Sequence, residues 1–131
     1  MTDADVLTLV QDLEHCRLTS GDFHHRDHLA VSVAYLYASD LEAALDRMRV
    51  SLRRFIAHHG LNGYHETITR FWMQEVQKHL DRSLCLGESV RRIQARLSDK
   101  DLVYRFYSKA TLNSPEAKER WVEPDQNPSC Q

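Results

Sequence analysis

Apolar residues recur at helical spacing throughout the 131-residue chain, and no internal repeat is present. Thr2-x-x-Asp5 has the form of a capping box, and behind it Val6, Val10 and Leu13 share one face of a first helix. The Thr, Ser and Gly residues between Arg17 and Asp22 predict a loop. Over about 24–38 the apolar positions (Leu29, Ala30, Val31, Val33, Ala34, Tyr35, Leu36) cover most of the circumference, as in a helix buried among others. Ser39-x-x-Glu42 repeats the capping pattern ahead of a third helix. Its stripe runs Leu41, Ala44, Leu45, Met48, Leu52, Phe55 and Ile56, and Gly60 should stop it. After the Leu61-Asn62-Gly63 turn, a fourth helix over about 64–82 sets His65, Ile68, Thr69, Trp72, Val76 and Leu80 on one face. Beyond Gly87, a short charged fifth helix is expected near 88–97. A further short one runs from Ser98-x-x-Asp101 through Tyr107, and Ser114-Pro115-Glu116 reads as an N-cap followed by proline. Short connections favour antiparallel neighbours. The expected fold is therefore all-α: a compact bundle of about five or six helices around a buried second helix. One domain should span 1–123, with a flexible tail over 124–131.

A chain of this length suits a single hydrophobic core. Its 42% hydrophobic and 27% charged residues are ordinary for a globular domain. A net charge of −2 without a basic stripe argues against nucleic acid as a partner. The longest apolar run, around 31–37, is far too short to span a bilayer, and the acidic start lacks the layout of a signal peptide. No membrane association is expected, and the cytoplasm is the expected compartment. Cys16, Cys85 and Cys130 are odd in number and contain no CxxC pair, so free thiols are expected. No P-loop, nucleotide-binding Gly-rich turn, nucleophile elbow or HExxH occurs, so no nucleotide cofactor is expected.

Eight histidines change the picture. Phe23-His24-His25-Arg26-Asp27-His28-Leu29 opens the otherwise apolar second helix. On a helix His24 and His28 share a face that continues to Val31 and Tyr35, while His25 lies to one side. Three readings apply. The imidazoles can cap the helix or satisfy a polar patch of the core. They can bind a ligand or carry acid–base chemistry near neutral pH. His24 and His28 can also chelate a divalent transition metal, provided further ligands such as His65 arrive from elsewhere.

A second cluster, Tyr64-His65-Glu66-Thr67-Ile68-Thr69, opens the fourth helix with His65 and Thr69 on the apolar stripe and Glu66 on its flank. Its bland reading is a hydrogen-bond network at a helix start. If the second and fourth helices run parallel, both N-termini lie at one end of the bundle. His24, His28, His65 and Glu66 could then converge where helix N-termini favour an anion. Tyr104 and Arg105 are candidate contacts for a carboxylate or phosphate, although Arg105 could equally pair with surface acids. His58-His59 suits the C-terminal end of the third helix dipole.

The two histidine motifs together resemble those of a group of small uncharacterised bacterial proteins. The likeness extends over 102–125, including Thr111-Leu112-Asn113-Ser114 and Trp121-Val122-Glu123-Pro124-Asp125. The resemblance implies a stand-alone helical domain and supplies no activity, cofactor or catalytic residue. The leading expectation is a small helical-bundle enzyme acting on a small anionic organic molecule. His28, His65 and Glu66 would be its acid–base groups, and His24, Tyr35, Thr69, Tyr104 and Arg105 its ligand contacts. The alternatives are a non-catalytic module that binds a ligand or docks a partner, and a metal-binding protein using His24, His28 and His65. The oligomeric state is left open.

Overall fold

Thr2 caps α1 (Asp3–Glu14): its hydroxyl accepts from the Asp5 N–H and the Asp5 carboxylate accepts from the Thr2 N–H, the reciprocal pair its spacing predicts. The computed structural model describes residues 1–126. Among them the chain is all-helical. α1 is followed by α2 (His25–Ala38), α3 (Leu41–His58), α4 (Glu66–His79) and α5 (Leu86–Arg96). A 3₁₀ turn (Leu102–Arg105) and two short helices, α6 (Lys109–Leu112) and α7 (Pro115–Glu119), complete it. The short elements raise the helix number above the five or six expected.

α2 is the hub. It packs against α1, α3, α4 and α5, and it buries Leu29, Ala30, Val31, Ser32, Val33, Tyr35 and Leu36 on all sides. That is why its sequence shows no single apolar stripe. α3 and α4 each bury one face, including Leu45, Met48 and Phe55 on α3 and Phe71, Trp72, Met73 and Val76 on α4. No helix is long and apolar enough to cross a membrane among the described residues.

Several boundaries differ from the sequence pattern. Asp40, not Ser39, caps α3, accepting from the Ala43 N–H at 2.9 Å; Ser39 instead turns its hydroxyl back to the Tyr35 carbonyl at the end of α2. Only a two-residue junction separates the helices, so adjacent polar residues divide the two capping tasks. Gly87 lies inside α5, where the sequence places it ahead of the helix. Its N–H donates to Asp3 Oδ1 at 2.7 Å, and a Cβ there would sit 2.9 Å from the Met1 carbonyl oxygen. The start of α1 thus rests directly on α5. The stretch after Ser98 forms a 3₁₀ turn and a separate α6 in place of one helix. The expected tail is anchored as far as Gln126: Asp125 Oδ1 accepts from the Ser108 N–H at 2.8 Å, and the Gln126 N–H donates to the Phe106 carbonyl at 2.9 Å. The rest of the tail, with Cys130, lies outside the described residues. Cys16 and Cys85 are free thiols.

α1 and α3 end alike. Beyond α3, Gly60 has φ +64°, its N–H reaches the Ala57 carbonyl, and the Leu61 N–H reaches Ile56. Beyond α1, Cys16 takes the same left-handed position at φ +56°, with its N–H on Leu13 and the Arg17 N–H on Asp12. A Cβ is unfavourable in this conformation. Cys16→Gly should therefore stabilise the fold by about 1 kcal/mol. Urea unfolding of the single variant checks it, and an unchanged or lower midpoint refutes it.

Candidate ligand-binding groove

The starts of α2 and α4 meet across α3 and enclose a groove of about 320 Å³. α2 and the residues before it contribute Phe23, His24, His25 and His28. The start of α4 and the turn before it contribute Gly63, Tyr64, His65, Ile68 and Thr69, and α3 closes the groove with Leu52 and Ile56. The parallel arrangement that helical arithmetic allows is realised. His24, His28, His65 and Thr69 share one groove.

Their chemistry differs residue by residue. His65 is the N-cap of α4. Its Nδ1 accepts from the Ile68 N–H at 3.1 Å and its Nε2 donates to the Leu112 carbonyl at 2.7 Å, which fixes the neutral Nε2–H tautomer. Burial holds its pKa below the usual histidine value. Both nitrogens serve the fold, so His65 has none left for substrate or metal in this state. His25 likewise donates Nε2–H to the Leu97 carbonyl at 2.8 Å, with its ring edge-on to Trp72. The backbone N–H of His24 donates to Asp27 Oδ2 at 3.0 Å, and the residue is exposed at the groove rim. Thr69 donates to the carbonyl of His65 at 2.8 Å. Tyr64 donates to Glu66 at 2.6 Å, and its phenol is pushed up to about 12, by burial first and by Glu66 second.

His28 is the exception. Its Nε2 is buried and has no hydrogen-bond partner among the described residues. The Phe23 ring lies edge-on to it at 6.1 Å. Burial, followed by the neighbouring His25, lowers its pKa to about 4, so the ring is neutral at physiological pH. An orphaned buried imidazole nitrogen costs roughly 1–3 kcal/mol unless something bonds to it.

Four expected site residues lie elsewhere. Glu66, 6% exposed, faces α3: Arg49 grips it with Nε at 2.9 Å and a second nitrogen at 2.6 Å. Arg49 also pairs with Asp46. The Arg49 guanidinium, through its hydrogen bonds, holds the Glu66 carboxyl below its ordinary value. One carboxylate with three donors is a structural anchor. Tyr35 is two helical turns past His28 and belongs to a separate network. Its hydroxyl donates to Glu14 at 2.7 Å and bonds with Ser51 at 2.7 Å, while Arg47 lies over the ring and binds Glu14. Burial raises its pKa. Tyr104 and Arg105 are exposed on the 3₁₀ turn that stands in place of the short helix expected from Ser98 to Tyr107, with Lys109 near the Tyr104 ring.

The metal-binding expectation has a clear obstacle. Among the described residues no three His, Cys, Asp or Glu side chains are grouped to hold one ion. His65 is committed to Ile68 and Leu112, so the third ligand that His24 and His28 would need is absent from the set. The groove walls that the histidine spacing does not reveal are Phe23, Leu52, Ile56 and Tyr64. Leu52 and Ile56 are legible only as part of a core stripe, since pocket wall and core share the same apolar pattern. No family model, curated protein or solved structure matches the chain.

Proposed function

We propose that this protein is a small-molecule-binding domain whose ligand lies in the groove between the starts of α2 and α4 and bonds to His28. The buried, unpartnered Nε2 of His28 carries this reading. Phe23, Leu52, Ile56 and Ile68 supply apolar walls, and a few polar groups at the rim are typical of small-ligand sites. The groove contains no Lys or Arg and its central histidine is neutral, which favours a compact, uncharged molecule with one hydrogen-bonding group over the anion expected from sequence. Acid–base catalysis is supported less well. A base with a pKa near 4 is poorly matched to neutral pH, and His65 and Glu66 are held by structural bonds.

Phenol and indole, each an apolar ring with one donor, are suitable first probes. Titrating either into ¹⁵N-labelled protein should shift the His28 ring nitrogens together with the amides of Leu52, Ile56 and Ile68. His28→Leu should weaken binding about tenfold, the loss of one hydrogen bond to a buried group. Equal affinity in wild type and His28→Leu, or no saturable response to either probe, overturns the proposal.

A further inference from the structure

At the far end of α4, about 20 Å from its start by helical rise, a larger cavity of about 510 Å³ opens between the end of α4, the loop through Leu84 and the outer face of α5. It is chemically unlike the histidine groove. Arg92, Arg96, His79 and Ser89 face it together with an apolar strip that includes Ile93.

The polar groups here are under-used. Arg96 Nε donates to His79 Nδ1 at 3.0 Å. That bond fixes the Arg96 side chain along the cavity edge, makes no ion pair, and leaves the terminal guanidinium nitrogens without a partner among the described residues. Arg92 has one long contact, 3.7 Å to Glu88, whose carboxylate is already bound by Arg91 at 2.6 Å. Ser89 lines the cavity and is only 1% exposed. The one acid in the lining, Asp81, is turned back on its own loop, with Oδ1 accepting from the Ser83 N–H and hydroxyl. Guanidinium groups at helix ends often merely complement the dipole. The dipole does not explain why two under-paired guanidinium groups line one cavity together with Ser89 and an apolar strip.

We infer that this cavity is a second binding site, for a small organic acid whose carboxylate or phosphate is held by Arg92, Arg96 and Ser89 and whose hydrocarbon part lies on Leu84 and Ile93. Guanidinium forks match the planar or tetrahedral oxygens of such anions, and charge-assisted bonds are stronger than neutral ones. The cavity volume is in the range of small-ligand sites.

Benzoate and phenyl phosphate serve as probes and separate the two anion types, and benzyl alcohol is the uncharged control. In the full-length protein at low salt, at least one acid should produce saturable amide shifts confined to residues 79–96, with a Kd of about 1 mM or tighter. Ser89→Ala and Arg96→Gln should each weaken binding about tenfold, and the Arg92→Gln/Arg96→Gln double variant should abolish it. Added salt should weaken binding, because these guanidiniums are exposed. Three outcomes overturn the inference: no saturable response to either acid, an undiminished response in the double variant, or an equal response to benzyl alcohol. Both arginines are exposed, so the variants should fold, which a matched thermal midpoint verifies.

Discussion

Glu66→Ala should lower the thermal midpoint by roughly 10 °C, the equivalent of about 3 kcal/mol in a domain of this size. Glu66 is nearly buried and accepts three hydrogen bonds, two from Arg49 and one from Tyr64. Its removal strands part of a guanidinium and a half-buried phenol where water cannot fully replace the lost acceptor. Arg49 retains Asp46, an exposed partner that offsets little. The cost comes from the orphaned groups more than from the value of the pair itself. Replacing both ends with apolar residues, Arg49→Met with Glu66→Leu, should therefore recover most of the loss. Differential scanning calorimetry of the single and double variants measures this directly. An unchanged midpoint in Glu66→Ala would show that the contact is not structural.

Acidification should destabilise the fold by about 3 kcal/mol between pH 7 and pH 4 through His28 alone. The folded-state pKa of about 4 lies below the ordinary 6.5, chiefly through burial and then through His25. A depressed histidine pKa means that the unfolded chain binds the proton more tightly. The stability is thus fully present above about pH 6.5 and is lost progressively as pH falls through the folded value. His65 acts in the same direction, since protonating Nδ1 removes the cap on Ile68. Glu66 and Glu14, whose pKa values are also lowered, add to the acid side. The difference between wild type and His28→Leu isolates the His28 part. Urea midpoints at pH 7, 5.5 and 4 should converge or cross as pH drops. Parallel curves for the two proteins would refute the assignment.

The histidine excess illustrates how much of the site was legible. Helical spacing puts His24 and His28 on one side of the start of α2 and predicts His65 beside them if the helices run parallel; the groove contains all three, with His24 as the N-cap that precedes α2. What spacing cannot tell is which ring nitrogens are already occupied. His25, His59 and His65 each donate Nε2–H to a backbone carbonyl more than 40 residues away in sequence, on Leu97, Leu18 and Leu112 respectively. These histidines tether segments far apart in the sequence. The sequence pattern is blind to this because each acceptor is a main-chain oxygen, which every residue carries. Glu66 shows the same limit. Its place in the first turn of a helix is readable, but its rotation toward Arg49, away from the groove, depends on how α4 rolls against α3.

The alternation of apolar and polar positions by itself determined α1 to α5, their order and the burial of α2, because these follow from local periodicity, and the shortness of the connections allowed the parallel run of α2 and α4 without fixing it. Tertiary packing alone decided the rest. It committed His65 and Glu66 to structural bonds, set Tyr35 into a separate network with Glu14 and Ser51, and left one buried imidazole nitrogen, Nε2 of His28, without a partner among the described residues. Hydrogen-bond satisfaction is a property of three-dimensional neighbours, so the conspicuous segment over 23–29 contains both a tether and a candidate ligand contact: spacing sets His25 and His28 on different faces, and only the folded chain shows which ring is already bonded.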